Sequence, residues 1–304
     1  MSEIDVRISL FLWLKERETL HGNVFTRDEL SNDFFFHNQH ITLIGPKGIW
    51  FPKGFSMPIS ITTTSKGPYN DGFSEDGFLS YRYRGTDPNH GDNIGLKDLY
   101  QKRTPFVYFR SIVPGKYNAV WPMFIMNNNP NQLMIKAAID PAYRMYGKVS
   151  DKNDTIFTED EESIIGIRKY ITTETRQRLH QTAFREIVLD AYSRQCTMCK
   201  LQHVELLDAA HIIPDSDPRG EPIIQNGLSL CKIHHAAYDK NILGISPNYQ
   251  VKVRMDILDE DNGPMLKYGL QLLDGQQIVL PREKKYYPDR DRLSDRFNEF
   301  IKIG

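Results

Sequence analysis

Two short pairs of metal ligands constrain the fold of this chain more than any other feature of its sequence. CTMC at 196–199 and CKIH at 231–234 each separate two ligands by two residues. Three thiolates and one imidazole in two close pairs suit a closed, tetrahedral, structural zinc site. The pattern takes up every cysteine of the chain, which favours zinc over buried cysteines beside a surface histidine. The sequence therefore predicts a structural Zn²⁺ held by Cys196, Cys199, Cys231 and His234.

The cysteines also bear on where the protein works. An odd number, with two of them in a Cys-x2-Cys pair, argues against a secreted disulfide framework and for a reducing compartment. No apolar run approaches the roughly 18 residues that a membrane span needs, so we expect a cytoplasmic protein without a membrane partner. The net charge of −1 shows no basic excess, so a role on nucleic acid must depend on local charge.

The chain, at 304 residues, is long enough for two domains. Its first half holds β-branched and aromatic runs separated by Gly, Pro, Asn and Asp, as is typical of strands. These runs are ITLIG, GFLSYRYRG, FVYFRSIV, YNAVWPMFIM and QLMIKAAI. An acidic stretch and then a helical segment follow. The apolar residues that recur at helical spacing there are Leu179, Phe184, Ile187 and Val188. We predict an α+β protein with a mostly β domain at 1–149, a linker at 150–165 and a second domain at 166–304.

Two histidines stand side by side at His234 and His235. Neighbours on a helix point about 100° apart, so they cannot share one ligand. If His234 binds zinc, His235 is available for another site, and Asp239 lies four residues later on the same helical face. An imidazole and a carboxylate on one face can hold a catalytic cation and leave positions open for water and phosphate.

A wider pattern surrounds this helix. His211 ends a β-like run in AAHI, Asn226 stands in NGL, and His235 begins HxxxD. This order resembles the HNH nucleases of the ββα-metal fold. The resemblance implies that His211 is the general base, that Asn226 orients it, and that His235 and Asp239 bind one divalent cation, Mg²⁺, Mn²⁺ or another. A neutral imidazole can accept a proton at physiological pH.

The chain departs from many HNH relatives at Ala210, where they have a further metal ligand. Asp208 points to the same strand face as Ala210 and can substitute for that ligand. The alternative is a cation with only two protein ligands. Ala210 also leaves open a DNA-binding reader with a degenerate nuclease domain.

The N-terminal half contains GPYNDGFSEDGFLSYRYRGTD, followed by DNIGL, FVYFRSIVPGKY and WPMFI. This half is similar to the SRA domain, a PUA-like β-barrel that extracts a modified cytosine from duplex DNA. The resemblance implies that Tyr69 and Tyr83 sandwich the flipped base and that Asp71 accepts a hydrogen bond from its exocyclic amine. Asp76 is the alternative to Asp71, because the spacing to Tyr83 differs from that of eukaryotic members.

Arg82 and Arg84 alternate with the tyrosines on the same predicted strand. We expect both to contact backbone phosphate. The alternative interpretation is an ordinary β-barrel in which these alternating Tyr and Arg side chains form half-buried strand faces.

Together these patterns predict a bacterial, modification-dependent endonuclease that acts on double-stranded DNA carrying 5-methylcytosine or 5-hydroxymethylcytosine. The alternative enzyme is an HNH nuclease whose first domain reads ordinary sequence or another modification. A domain with one active site cuts both strands either as a homodimer or in two independent events.

Overall fold

The computed structural model describes residues 2–63, 72–73, 78–139, 180–261 and 263–303. The chain divides into two compact units, Met1–Thr182 and Ala183–Gly304. The linker predicted at 150–165 lies outside the described residues, so the predicted domain limits stay a prediction. In the described part of the chain, no helix is both long and apolar enough to cross a membrane.

The first unit combines helices with a curled sheet. Its described helices are α1 (Glu3–His21), α2 (Arg27–Asn32) and α3 (Gly91–Gln101). Its described strands are β1 (Phe25–Thr26), β2 (Phe35–Phe36), β3 (Gln39–His40), β4 (Ile49–Trp50), β5 (Ser60–Thr63), β6 (Gly72–Phe73), β7 (Leu79–Arg82), β8 (Phe106–Val113), β9 (Lys116–Asn129) and β10 (Met134–Ile139). The sheet runs β4-β5-β8-β9-β10-β7-β6, with β1 paired to β9. Strand β5 pairs with β8 in parallel, and β9 pairs with β8 and β10 antiparallel.

Strand β8 shows why this sequence forms a sheet that is covered on both faces. Phe106 and Tyr108 pack into the apolar cluster that includes α3 residues. Val107 and Phe109 pack into a different cluster, which includes α1 residues. Successive side chains on a strand point to opposite faces, so a continuous apolar run buries both faces of the strand.

A buried arginine anchors α1. Arg7 donates from Nη1 to the carbonyl oxygens of Pro58 at 3.0 Å and Pro105 at 2.9 Å, and from Nη2 to that of Met57 at 3.2 Å. Glu3 Oε2 lies 3.4 Å from Nη2. Burial lowers the pKa of Arg7 to about 10, so the guanidinium stays charged at neutral pH and satisfies three buried carbonyls.

Most of the predicted strands are confirmed. FVYFRSIV coincides with β8, YNAVWPMFIM lies within β9, and QLMIKAAI and GFLSYRYRG contain β10 and β7. The prediction of a strand for ITLIG at 41–45 is wrong. The Ile41 amide donates to the Phe34 carbonyl and the Leu43 amide to that of Leu30, while both side chains are buried. The amides of this apolar run are therefore bonded to α2 and the residues after it, while side chains of β4 and β5 bond to its carbonyls.

The second unit has a ββα arrangement at its centre. Its described helices are α4 at 180–191, α5 (Lys232–Asp239), α6 (Met255–Leu258), α7 (Pro264–Gly269) and α8 (Arg290–Ile303). Its described strands are β11 (Leu207–His211), β12 (Gly227–Cys231), β13 (Leu243–Ile245) and β14 (Val251–Val253). Helix α4 lies within the predicted helical segment, of which Leu179 is outside the described residues.

Strands β11 and β12 pair antiparallel, with Leu207 opposite Cys231 and His211 opposite Gly227. Cys231 both ends β12 and forms the N-cap of α5, so the helix follows the strand without a loop. This tight connection places the HxxxD helix beside the strand that ends in His211.

Candidate metal centre and nuclease site

The four predicted zinc ligands come together in the second unit. Their ligand atoms all lie within 4.8 Å of one another. His234 Nδ1 is 3.4 Å from the sulfur of Cys196 and 3.3 Å from that of Cys231, and the sulfurs of Cys199 and Cys231 are 4.0 Å apart. Ligand atoms around a tetrahedral zinc ion lie about 3.5 to 3.8 Å from one another, given the usual bond lengths. The donor set and its spacing therefore fit one zinc ion.

A tight turn presents the first ligand pair. The Cys196 amide donates to the Leu201 carbonyl, and the Lys200 amide donates to the Cys196 carbonyl, both at 2.9 Å. Lys200 takes a left-handed conformation with φ of 62°, which closes the turn. The Thr197 amide donates to the Ser229 carbonyl at 2.7 Å and joins this turn to β12. Because β12 ends in the second ligand pair, the two pairs are held next to each other.

The other ring nitrogen of His234 has a partner of its own. Nε2 lies 2.8 Å from the Gly269 carbonyl oxygen at the end of α7. A carbonyl at that position keeps the proton on Nε2 and turns Nδ1 towards the sulfurs, as is usual for metal-bound histidines. The thiolate is the form of cysteine that binds zinc.

His235 faces away from this cluster and lies between two carboxylates. Its Nδ1 is 3.4 Å from Asp208 Oδ2, and its Nε2 is 3.4 Å from Asp239 Oδ2. Hydrogen bonding to Asp208 raises the pKa of His235, and the charge of Asp239 acts in the same direction. The predicted pair of His235 and Asp239 is thus adjacent, and Asp208 takes the opposite side of the ring.

Asp208 is held in place by two further groups. The Ala209 amide donates to Asp208 Oδ1 at 2.9 Å, and Arg185 Nε lies 3.8 Å from the same oxygen. Arg185 itself donates to the carbonyls of Val204 and Leu207, both at 2.9 Å. Ala210, two residues after Asp208 on the same strand, is fully buried. Asp208 is half-exposed beside His235 instead.

His211 ends β11, and its imidazole stacks on the ring of Phe184. The ring centroids are 4.0 Å apart and the planes differ by 19°. The Nε2 atom is buried and has no hydrogen-bond partner among the described residues. Burial lowers the pKa of His211, against the opposing charge of Asp215. The imidazole is therefore neutral at physiological pH, with Nδ1 as the nitrogen available to water.

Asn226 is fully buried and braces the chain that follows His211. Its Oδ1 accepts from the Ile213 amide at 2.9 Å, and its Nδ2 donates to the carbonyls of Ile213 at 3.0 Å and Glu221 at 3.1 Å. The Asn226 carbonyl accepts from the Ile212 amide at 2.9 Å. These bonds act on the main chain after His211, whereas the sequence led us to expect an effect on the imidazole itself.

A family model described as HNH endonuclease matches residues 196–246. The match includes both zinc-ligand pairs, β11, β12 and α5. The chain carries an HNH endonuclease domain. It is therefore a nuclease, and its HNH domain holds His211, Asn226 and His235 at the positions described above.

Comparison with solved structures adds little to this identification. A modification-dependent restriction endonuclease, TagI, matches with 13% identity and a TM-score of 0.29 over 84% of this chain and 85% of its own. A type IV phosphorothioation-dependent restriction endonuclease, ScoMcrA, matches with 13% identity and a TM-score of 0.26 over 70% of this chain. That match covers 54% of the ScoMcrA chain. No match to a curated protein was found. The identification rests on the HNH domain.

The residues predicted to read a base lie in the first unit, apart from the HNH domain. Tyr69 and Asp71 are outside the described residues, as is Asp76. Tyr83 is buried, with 4% of its surface exposed, and its hydroxyl donates to Asn128 Oδ1. The base pocket therefore stays a prediction.

The two predicted phosphate contacts differ in their surroundings. Arg82 is exposed at the end of β7. Arg84 donates from Nη1 to Asp92 Oδ2 at 2.6 Å, so DNA would have to compete with this carboxylate. Both roles stay predictions.

Sequence reasoning missed two contacts of the HNH domain. Phe184 was predicted only as a core residue of a helix, and it stacks on His211. Gly269 supplies the carbonyl behind His234, although nothing in its local sequence indicates this. A contact through a main-chain carbonyl, such as that of Gly269, does not depend on residue type and so cannot be predicted from the sequence. The helical spacing of Phe184 did place it on the buried face of its helix.

Proposed function

We propose that this HNH nuclease is a modification-dependent DNA endonuclease, in which the first unit reads a modified cytosine and the HNH domain hydrolyses a phosphodiester bond. The observation that carries the nuclease part is that β11, which ends in His211, also carries Asp208, and that Asp208 lies 3.4 Å from His235. His235 in turn lies 3.4 Å from Asp239, so the proposed base and the proposed cation ligands stand on β11 and the adjoining helix α5.

His211 serves as the general base in this proposal. Its Nε2 is enclosed, so Nδ1 takes the proton from the attacking water while the water oxygen bonds to phosphorus and the bond to the leaving oxygen breaks. Asn226 keeps the chain after His211 in place through its bonds to Ile213 and Glu221. Burial favours the neutral ring that this step needs.

His235 and Asp239 are the residues that would hold the divalent cation. Their facing atoms, Nε2 and Oδ2, are 3.4 Å apart, close to the roughly 3 Å between neighbouring ligands of an octahedral ion with bonds near 2.1 Å. A cation bound there would neutralise charge that develops on the scissile phosphate. A nitrogen and a carboxylate suit Mg²⁺ or Mn²⁺ and leave several positions for water.

Asp208 takes a supporting role here. Asp208 faces Nδ1 of His235 at 3.4 Å, so Nε2 would be the nitrogen that holds a cation. A carboxylate on the second nitrogen of a metal-bound histidine fixes its tautomer and orientation. We therefore assign Asp208 to orienting His235, which would leave His235 and Asp239 as the two protein ligands of a cation.

The Cys196, Cys199, Cys231 and His234 cluster is the structural zinc site of the proposal. Zinc would tie the turn at 196–199 to the start of α5. Helix α5 also carries His235 and Asp239, so folding of the cluster and geometry of the cation site are linked.

The reader part of the proposal rests on the resemblance of the first half to SRA domains. Supporting it, Tyr83 directly follows β7, whose last residue is the exposed Arg82. Tyr69, Asp71 and Tyr83 would enclose a flipped 5-methylcytosine or 5-hydroxymethylcytosine, with Asp71 on its exocyclic amine.

Digestion of one plasmid prepared from cytosine-methylating and non-methylating hosts tests both parts. Metal-dependent cutting of the methylated plasmid alone supports the full proposal. Equal cutting of both supports the alternative in which the first unit reads ordinary sequence or another modification. Absence of metal-dependent nicking on either plasmid would contradict the nuclease mechanism.

A further inference from the structure

We propose that Phe184 is a positioning residue for His211, and that Gly227 makes this contact possible. The proposal rests on the proposed function, because it takes His211 as the general base. Phe184 belongs to α4, outside the family match at 196–246. Its ring lies nearly parallel to the imidazole, with 4.0 Å between centroids.

Stacking is the contact that orients the imidazole in the described part of the chain. Nε2 of His211 is buried, and no described residue forms a hydrogen bond with it. The side-chain bonds of Asn226 go to the main chain of Ile213 and Glu221. Main-chain hydrogen bonds fix the position of the His211 backbone. They do not restrict rotation of the imidazole about the side-chain bonds, which requires a contact with the ring itself. Phe184 supplies an aromatic face for it.

Phe184 can act as a fixed platform because it is itself immobilised. Only 2% of its surface is exposed, and it packs in the hydrophobic core of the second unit. A buried aromatic ring in a close-packed core has few alternative rotamers. The position of α4 therefore determines the orientation of the His211 imidazole.

Gly227 lets α4 approach the strand pair closely enough for this contact. It stands directly opposite His211 in the β11–β12 ladder. A Cβ atom at Gly227 would lie 2.4 Å from Val188 Cγ2 and 3.0 Å from Phe184 Cζ. The backbone there is extended, with φ of −123°, so alanine meets no conformational obstacle. Glycine is required at 227 because the side chains of α4 occupy the volume that a larger residue would need.

The consequence is a defined direction for Nδ1. Stacking sets the ring plane, and the enclosed Nε2 sets which edge of the ring faces inward, so Nδ1 is left as the nitrogen for the attacking water. Reaction geometry is sensitive to such placement, since a displacement of about 1 Å can cost on the order of 100-fold in rate.

The test compares Phe184→Leu with Val188→Ala in the full-length, metal-loaded protein. Leucine keeps an apolar side chain but removes the aromatic face, whereas Val188→Ala removes buried volume from the same helix without touching the imidazole. We expect Phe184→Leu to lower kcat for plasmid nicking roughly 10- to 100-fold with KM little changed. We expect Val188→Ala to keep kcat within about threefold of the wild type, a small effect next to the general-base contribution.

A spectroscopic measurement separates positioning from general destabilisation. The ring protons of His211, assigned by their loss in His211→Gln, should be shifted upfield by the Phe184 ring current in the wild type. That shift should disappear in Phe184→Leu and persist in Val188→Ala. Gly227→Ala provides a second route, since its methyl group should displace Phe184 and reduce both the shift and kcat.

Equal kcat for Phe184→Leu and Val188→Ala, or an unchanged His211 shift in Phe184→Leu, would overturn the role of Phe184. Nicking by His211→Gln at the wild-type rate would instead overturn the proposed base, which is a separate failure. If Phe184→Leu does not fold, the ring-current shift and kcat of Gly227→Ala decide the question.

Discussion

His234 and His235 are neighbours on one helix, and their rings face two different sites. His234 turns Nδ1 towards the sulfurs of Cys196 and Cys231, while His235 lies between Asp208 and Asp239. The rotation of about 100° between successive helical residues makes this division possible. One turn of α5 thus joins a candidate structural metal site to the candidate reaction centre.

Substitution of the two histidines should give two different defects. His234→Ala removes a zinc ligand, so it should lose zinc and lower the melting temperature, because such sites contribute folding free energy directly. His235→Ala should stay folded and zinc-loaded but should not cut DNA. Elemental analysis and thermal melts on both variants measure this. Equal zinc content in the two would contradict the division.

His211→Ala should abolish cleavage and leave DNA binding nearly intact. It removes the proton acceptor without touching the zinc cluster or the first unit, and loss of a general base typically costs about 10² to 10⁴ in rate. Single-turnover cleavage and gel-shift binding measure the two effects separately. A rate within about threefold of the wild type would exclude His211 as the base.

The pH dependence of cleavage should reflect the lowered pKa of His211. The active form is the neutral imidazole, so the rate falls as the pH drops through this pKa. Because burial lowers the pKa from its ordinary 6.5, half of the activity should be lost only at a pH below that value. Single-turnover rates across acidic and neutral pH, with binding measured at each pH, give the midpoint. A midpoint above 6.5 would show that burial does not control this group.

Asp208→Asn should weaken the catalytic cation without changing zinc content. Loss of a carboxylate behind a metal-bound histidine typically reduces metal affinity about 10- to 100-fold. Titration of Mn²⁺ by calorimetry measures it on the protein without DNA. Glu205→Gln is the matched control, since it removes one exposed charge from the preceding turn. Equal Mn²⁺ affinity of the two variants would exclude Asp208 from the cation site.

Discrimination between methylated and plain duplex should depend on Tyr83. Stacking of a base on an aromatic side chain is worth roughly 1 to 3 kcal/mol by alanine substitution, so Tyr83→Ala should lose most of the preference. Tyr81→Ala is the control for lost packing, because Tyr81 is buried in the same core, two residues before Tyr83 in the chain. Gel shifts on oligonucleotides that differ only in cytosine modification give the result. Wild-type protein that binds both duplexes equally would rule out the base pocket.

Local spacing was enough to predict several features of this chain. The members of each ligand pair, at 196–199 and at 231–234, and the i, i+4 pair of His235 and Asp239 lie close to one another because turns and helices have fixed periods. The run FVYFRSIV predicted β8 to the residue, since an apolar stretch of that length suits a strand buried on both faces. In each case one element, or two joined by a short turn, sets the distance.

Contacts between separate elements needed the tertiary structure. ITLIG has the composition of a strand, yet the amides of Ile41 and Leu43 bond to the carbonyls of Phe34 and Leu30, and side chains of β4 and β5 bond to the carbonyls of Thr42 and Leu43. Asn226 was expected to orient an imidazole and instead bonds to the main chain after it. The stacking of Phe184 on His211 and the position of Asp208 behind His235 depend on how closely α4 and α5 pack on β11. The sequence determined which residues are available for chemistry. Packing between elements decided which atoms face each other. The reason is that side-chain direction across an interface depends on the depth and angle of contact and not on spacing along the chain.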